Sequence, residues 1–260
     1  MSPVLIISDT QSEHDERRLQ IQRVGIKGVR HPLTLKMGDQ VQPTVAQWVL
    51  DVALPAEQKG THMSRFIAWL NDLSVPMDAA TLQEALGQML HQLQAAQGRV
   101  ECSFTFFLRK TAPVSGVQSL LEYQGRWIAE HRAAQTVVWT EAVVPVKSLC
   151  PCSKAISDYG AHNQRSYVTL RLELLQPMPW HELVRFAEDS ASSEIWPMLK
   201  RADEKWVTER AYNNPKFVED LVRDIALKLN ADARVGRYLI EVENIESIHA
   251  HSAFAQIEKL

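Results

Sequence analysis

Two cysteines stand two positions apart in the run Ser148-Leu149-Cys150-Pro151-Cys152-Ser153-Lys154. A thiolate is the soft, anionic ligand that zinc and similar cations favour, and the thiol must lose its proton to bind. Lys147 and Lys154 would help hold a thiolate by opposing its desolvation cost. His162 follows ten positions after Cys152, in the turn Gly160-Ala161-His162-Asn163. Near the C-terminus, His249-Ala250-His251 sets two imidazoles on one side of an extended segment. These are ligands enough for a metal site, although their spacing is not that of a zinc finger. The competing role for a cysteine is a small buried hydrophobe, and Cys102, on the apolar face of its strand, takes that role. His14, His31, His91, His131 and His181 read as surface or loop residues.

Two further stretches are denser in polar groups than a plain fold needs. Lys59-Gly60-Thr61-His62-Met63-Ser64-Arg65 lies between a strand and a helix. It combines cations, hydroxyls and a glycine where backbone N–H groups point outward, which suits either a phosphate cradle or a capped helix start. The second, Lys200-Arg201-Ala202-Asp203-Glu204-Lys205-Trp206, continues to Pro215 and reads as a solvated helix face; periodicity does not separate Glu204 from Asp203. Glu219 falls off the apolar stripe of its helix, at an edge or surface position.

The elements that must position these groups alternate between strands and period-3.6 helices. Strands are expected over 18–29 and 41–54, the latter with Ala46, Trp48, Leu50, Val52 and Leu54 on one face. A helix over 64–73 follows. A second is capped by Asp78, carries Leu82, Leu86, Met89, Leu90 and Leu93, and stops at Gly98. Val100, Cys102, Phe104, Phe106 and Leu108 then alternate, and another strand covers 117–128. The second half repeats the order: strands over 135–147 and 165–174, a helix over 181–189, and a helix opening at Asn214-Pro215 with Phe217, Leu221, Val222, Ile225 and Leu229 buried. Tyr238, Ile240 and Val242 alternate in a late strand, and a short one runs over 247–254. Both halves read as strand-strand-helix-helix-strand-strand, without residue-level self-similarity or a low-complexity linker.

Composition sets the class. The chain has 260 residues, 45% hydrophobic and 23% charged, enough for a substantial core without disulfide staples. Its 28 Lys and Arg against 31 Asp and Glu show no basic excess of the kind that announces nucleic acid. No apolar run reaches the roughly 18–20 residues of a membrane span. The opening MSPVLIISDTQ lacks a basic n-region and a signal-peptidase pattern. Three cysteines make no disulfide framework. A soluble, reduced, cytoplasmic protein is expected.

Taken together, several blocks resemble the type IB GTP cyclohydrolase I family: GTHMSRF (60–66), SLCPCSK (148–154), GAHNQRS (160–166), KRADEKWVTERAYNNPKFVED (200–220) and ENIESIHAH (243–251), with the opening DTQSEHDERRLQIQRVGIKGVRHP (9–32). The resemblance covers almost the whole chain in order. It implies an α+β bimodular tunnelling fold of tandem ββααββ modules with antiparallel sheets, here 1–130 and 131–260, assembling into barrels in a homotetramer. Active sites are then expected at subunit interfaces, in the cytoplasm, at the start of folate-type pterin synthesis. By the same resemblance Cys150 is a metal ligand and catalytic, His162, Glu204 and His249 complete or border the metal site, and Cys152 stands beside it. Glu219 anchors guanine. Lys59, His62, Ser64, Arg65, Lys154 and Arg165 are candidates for the rest of the nucleotide.

The implied chemistry suits these residue types. Guanine C8 must gain hydroxide, which a bound cation makes available near neutral pH. Mixed thiolate, imidazole and carboxylate ligation accommodates zinc, manganese or iron. Ring opening needs proton transfers at N7 and N9, within reach of His or Cys chemistry. A carboxylate matches guanine N1–H and the exocyclic amine through two parallel hydrogen bonds. The alternatives are another tunnelling-fold pterin or deazapurine enzyme, against which SLCPCSK and ESIHAH argue, and a non-catalytic metal- or nucleotide-binding protein.

Overall fold

The computed structural model describes residues 9–260, so the apolar part of the opening segment, 4–7, lies outside the described residues. In chain order the elements are β1 (Ile21–Met37), β2 (Gln40–Leu54), α1 (Met63–Asp72), α2 (Ala79–Leu93), β3 (Gly98–Thr111), β4 (Gln118–Arg132), β5 (Gln135–Leu149), α3 (Pro151–Ile156), β6 (Asn163–Leu174), α4 (Trp180–Glu188), α5 (Arg201–Asn213), α6 (Val218–Ala231), β7 (Val235–Ile245) and β8 (Ser252–Lys259). The eight described strands are hydrogen-bonded in chain order in one sheet. Pairing is antiparallel between β2 and β3, β5 and β6, β6 and β7, and β7 and β8. Two compact units divide the chain across the strands: 1–36, 45–103 and 127–138 form unit 1, and 37–44, 104–126 and 139–260 form unit 2.

In unit 1 the period-two pattern of β2 buries Ala46, Trp48, Leu50 and Val52, and the β2–β3 register sets Trp48 opposite Cys102 and Leu50 opposite Val100. The helices cover this face. Trp69 of α1 meets Trp48 edge-on at 6.0 Å and donates its indole N–H to the Ala85 carbonyl of α2. Each such large apolar side chain contributes about 1.5–3 kcal/mol on burial. Cys102 sits fully inside, and burial pushes its thiol well above the ordinary range. Asp78 caps α2 as expected, accepting from Thr81 N at 2.8 Å. That helix ends earlier than expected, on Gln94 in the left-handed conformation (φ 53). Gly98 instead opens β3, where an added Cβ would stand 2.7 Å from the Asp51 carbonyl oxygen. The glycine marks close strand approach, not a helix stop.

In unit 2 the rows Val144–Val168–Val242 and Ala142–Leu170–Ile240 run across β5, β6 and β7 on the buried face. Leu221, Val222, Ile225 and Leu229 of α6 are buried, and α6 packs on β7 and β8 and touches α4. Phe106 stacks on Tyr123 (5.4 Å) and meets Trp180 of α4 (4.5 Å). Behind the rings, Glu188 accepts from Tyr123 Oη at 2.7 Å and from Lys110 Nζ at 2.8 Å.

Other boundaries also differ from the sequence reading: β1 runs on to Met37, well past the expected 29. The last long helix does not open at Asn214-Pro215. Asn214 closes α5, and α6 starts at Val218, with Phe217 N donating to Asp220 Oδ2 at 3.0 Å. Asn214 is spent instead as the C-cap of α5, with its side chain donating to the Ala191 carbonyl at 2.9 Å, and Lys216 N donates to the Leu149 carbonyl at 3.1 Å. The last strand is Ser252–Lys259, and 247–251 is a loop. The second half also carries α3 and a third long helix, α5, beyond the expected helix pair.

The two-residue link between β4 and β5 offers a direct test of local strain. Ala133 and Ala134 both have positive φ (50 and 61), the conformation of a hairpin turn that favours Asn-Gly. Replacing the pair by Asn-Gly should raise stability by about 1 kcal/mol, since alanine there pays a left-handed penalty of about that size per residue. Urea unfolding checks it; no gain would mean the turn relaxes at no cost.

Candidate active site

The end of β5 is held from both sides. Leu149 N donates to Ser192 Oγ at 3.1 Å, and its carbonyl accepts from Lys216 N at 3.1 Å. Asn214 fixes the facing segments by donating Nδ2 to the Ala191 carbonyl at 2.9 Å. The chain then leaves the sheet at Cys150, which caps α3, and Pro151 at the first helical position presets its φ. Leu149 pairs with Asn163 as the last rung of the β5–β6 register. The residues just beyond that rung, Cys150 and His162, are therefore neighbours: Cys150 N donates to the His162 carbonyl at 3.2 Å. His162 Nδ1 lies 3.1 Å from Ser247 Oγ of the β7–β8 loop. Cys150 is half-buried and Cys152 exposed.

Behind this pair runs a buried polar row. Ser148 Oγ lies 2.7 Å from Ser166 Oγ, and Ser166 Oγ donates to Asn244 Oδ1 at 2.6 Å. The three residues are 1%, 0% and 2% exposed. Sequence reading passed over them, yet a signal was present. Ser148 continues the phase of Val144 and Val146, Ser166 that of Val168 and Leu170, and Asn244 that of Ile240 and Val242. Three polar residues thus occupy the apolar phase of three adjacent strands.

Glu219 lies in the first turn of α6, three positions beyond Lys216, so the bond to Leu149 brings that turn to the Cys150 end of unit 2. Asp220 serves as the cap, and Glu219 is exposed with no hydrogen bond among the described residues. Lys154 is engaged elsewhere: its ammonium donates to the Tyr212 carbonyl and stands 4.3 Å over the Tyr212 ring, tying α3 to the end of α5. Beside it, Leu149, Tyr159, Gly160, Asn163, Thr208 and Tyr212 border an open cavity of about 530 Å³. Arg165 projects from β6, exposed.

The other candidates each have a setting of their own. Glu204 is exposed near the start of α5, roughly 12 Å along the helix from Tyr212 at 1.5 Å per residue. His249 and His251 stack on each other in the exposed β7–β8 loop, centroids 5.0 Å apart. Lys59, His62, Ser64 and Arg65 belong to unit 1. There Lys59 pairs with Glu13, and His62 Nε2 stands 3.2 Å from Asp9 Oδ2. Among the described residues, no three His, Cys, Asp or Glu side chains are grouped to hold a metal ion. The thiol and imidazole of Cys150 and His162 fit a divalent cation in chemistry and adjacency, and His249 shares its loop with the Ser247 that already touches His162.

Paired strands flanking helices, repeated along one antiparallel sheet, define a tunnelling-fold protein. Solved urate oxidases share that fold: a hyper-thermostable AgUricase variant (TM-score 0.51, 9% identity, 92% of each chain) and the Bacillus sp. TB-90 urate oxidase (TM-score 0.50, 6% identity, 92% of this chain and 99% of that one). The family described as GCHY-1, type I GTP cyclohydrolase folE2, matches residues 7–255. The protein named GTP cyclohydrolase FolE2 in Methylibium petroleiphilum is 64% identical over 97% of this chain and 96% of its own length. Its namesake in Paraburkholderia xenovorans is 57% identical over 100% of this chain and 97% of its own. The chain belongs to the type I GTP cyclohydrolase folE2 family.

The structure separates the two adjacent carboxylates that periodicity could not. Asp203 is fully buried: it accepts from Val114 N, Ser115 N and Lys200 N at 2.8 Å each and from Ser115 Oγ at 2.6 Å. Burial pushes its carboxyl up, but the Ser115 hydroxyl and the three backbone donors outweigh that and hold it well below the ordinary range. A depressed folded value means the stabilisation is complete above the unfolded pKa of about 4 and is lost as pH falls through the folded value. Asp203→Asn should therefore melt earlier than wild type near neutrality, and the gap should narrow on acidification below about pH 4. Scanning calorimetry at stepped pH reads this, and a pH-independent gap would show that charge is not what holds the turn.

Proposed function

We propose that this chain is a type IB GTP cyclohydrolase I, taking GTP and water to 7,8-dihydroneopterin triphosphate and formate at the start of pterin and tetrahydrofolate synthesis. The observation that carries the reading is the backbone-tied pair of Cys150 and His162 at the mouth of the β5–β6 hairpin, with the Glu219 turn drawn to the same end. Full-length similarity to proteins named GTP cyclohydrolase FolE2 supports it.

In this reading Glu219 accepts guanine N1–H and the exocyclic amine through its two oxygens, which the capping role of Asp220 leaves free. With Nδ1 facing Ser247, His162 keeps Nε2 as the nitrogen that would meet a cation, and the proton transfers at N7 and N9 fall to thiol or imidazole chemistry beside it. A first water adds at C8 and the C8–N9 bond breaks to leave a formamide on N7; a second water hydrolyses that formamide, breaking C8–N7, and formate leaves with the former C8 carbon. The ribose then rearranges and ring closure expels water, so one water is consumed overall. Cys150, His162, Glu204 and His249 would hold a divalent ion (zinc, manganese or iron), which supplies hydroxide near neutral pH. Cys152 flanks that set. Arg165 and Arg65 offer guanidinium groups for the triphosphate, with Lys59, His62, Ser64 and Lys154 as further contacts.

Two tandem modules, 1–130 and 131–260, in a homotetramer with sites between subunits complete the reading. A neighbouring subunit would then add donors that the described residues of one chain do not group. No described helix is long and apolar enough to cross a membrane, and we place the enzyme in the cytoplasm.

Incubation with GTP should release formate and leave a pterin that fluoresces after oxidation. Cys150→Ala should abolish this without loss of folding or assembly, and chelation should silence the wild type until a divalent ion returns. Near-normal turnover by Cys150→Ala, or by metal-free protein, would sink the mechanism. Glu219→Gln should lower kcat/KM about tenfold or more with metal content unchanged, because the amide turns a donor toward a donor. Wild-type kinetics in that variant would place the base elsewhere.

A further inference from the structure

Between Cys150 and His162 the chain makes an eleven-residue excursion, through α3 and an exposed turn in which Gly160 takes φ +116. A segment of this kind does not by itself set how its two ends face each other. The ends are closed instead by a ring of three hydrogen bonds, each 3.2 Å: Cys150 N–H donates to the His162 carbonyl, His162 N–H donates to Ser153 Oγ, and the Ser153 hydroxyl donates to the Cys150 carbonyl. Ser153 is the one side chain in the ring. Its single proton and one lone pair join two backbones that otherwise share one bond. Both backbone polar groups of both site residues are thereby engaged, which fixes the direction of each Cα–Cβ vector.

We infer that Ser153 is a positioning residue: its hydroxyl sets the mutual geometry of the Cys150 thiol and the His162 imidazole, and so their joint affinity for a divalent cation. The inference deepens the reading of Cys150 and His162 given above and rests on it. Ser153 acts through the main chain of the two donors, not as a ligand. Its neighbours offer no substitute. Lys154 N–H already donates to the Cys150 carbonyl at 3.2 Å, and the Lys154 ammonium is held by Tyr212. Without the hydroxyl, the Cys150 carbonyl keeps a partner, whereas the His162 N–H loses its only protein acceptor in the ring and turns to water. His162 then keeps only the Cys150 bond, the Ser247 contact and the strand pairing that begins at Asn163. Interactions of this kind, which orient a ligand without touching the metal, are worth about 10–100-fold in affinity.

The test uses the full-length protein, stripped of metal and titrated with Co(II), followed by the thiolate-to-cobalt charge-transfer band. Ser153→Ala should weaken Co(II) binding by about 10–100-fold and alter the band. Ser153→Thr, which keeps the hydroxyl, should restore most of both. Melting temperatures of the three proteins should stay close, since the ring lies at a solvent-accessible loop. With GTP, Ser153→Ala should lose kcat more than KM, because Glu219 grips the base from a different element. Co(II) binding by Ser153→Ala equal to wild type would overturn the inference. So would equal loss in Ala and Thr variants with a parallel fall in melting temperature, the mark of a merely structural residue. A wild type that shows the cobalt series but releases no formate would instead overturn the catalytic reading and leave the positioning role standing.

Discussion

The site depends on strand register, and the register of β5, β6 and β7 is pinned by the hydroxyl–hydroxyl–amide row of Ser148, Ser166 and Asn244. Side chains alternate with a period of two, so a one-residue slip of any strand would turn its whole apolar set outward. Apolar rows such as Val144–Val168–Val242 resist a slip of one residue but tolerate a slip of two, which replaces one aliphatic by another. The polar row does not tolerate it. A slip of two would bury serine and asparagine against aliphatic carbon, at about 1–3 kcal/mol per unpaired group. Cys150 lies two residues beyond Ser148, and His162 four before Ser166. What pins the row therefore also brings the thiol and the imidazole to the same end of one hairpin.

Net stabilisation from such a row is modest, about 0.5–1.5 kcal/mol per hydrogen bond, so its worth lies in selection among registers. The same logic governs the buried ionic cluster of the unit. Lys110 faces both Glu188 and Glu194, and Tyr123 donates to Glu188. Burial, then the adjoining Glu188 charge, pushes the Tyr123 phenol far above its ordinary range, so it remains a donor at any working pH. Replacing such a cluster by apolar residues can be neutral, whereas removing one partner is costly, about 3–5 kcal/mol. The cluster fixes where α4 sits on the aromatic side chains of β3 and β4.

Most of the fold was legible because its strands obey period two and its helices period 3.6. The Asp78 cap, the apolar face of β2 and the alternation of β6 stand in the structure as the residue types require. Legibility failed where a tertiary bond overrode a local signal. Asn214-Pro215 reads as a helix start on propensity, but the Asn214 side chain is held by the Ala191 carbonyl, and the helix begins three residues after Pro215, at Val218. Gly98 reads as a helix stop, but its missing side chain serves a strand contact. In the site, Cys150 and His162 were visible as chemistry. Ser153, which bonds both, Ser247, which meets His162, and Ser192, which holds the neighbouring Leu149, were not, because a serine's type says nothing of which backbone group its hydroxyl will meet.

Asp203 and Glu204 show how one helix can serve structure and chemistry with adjacent carboxylates. The buried stripe of α5 is Asp203, Val207 and Ala211, spaced four apart, and Asp203 ties it to the turn at Val114 and Ser115. One residue on is about 100° around the helix, and Glu204, at the edge of that stripe, is exposed. Three of the four proposed metal donors are carried on strand ends and their loops, and Glu204 alone on a locked helix. Lys154 ties the far end of α5 to α3, so rotating α5 to bring Glu204 inward would break the Asp203 cap and the Lys154–Tyr212 contact together. In the proposed tetramer, Glu204 held in this way would meet a metal only if a neighbouring subunit brought the other donors to it.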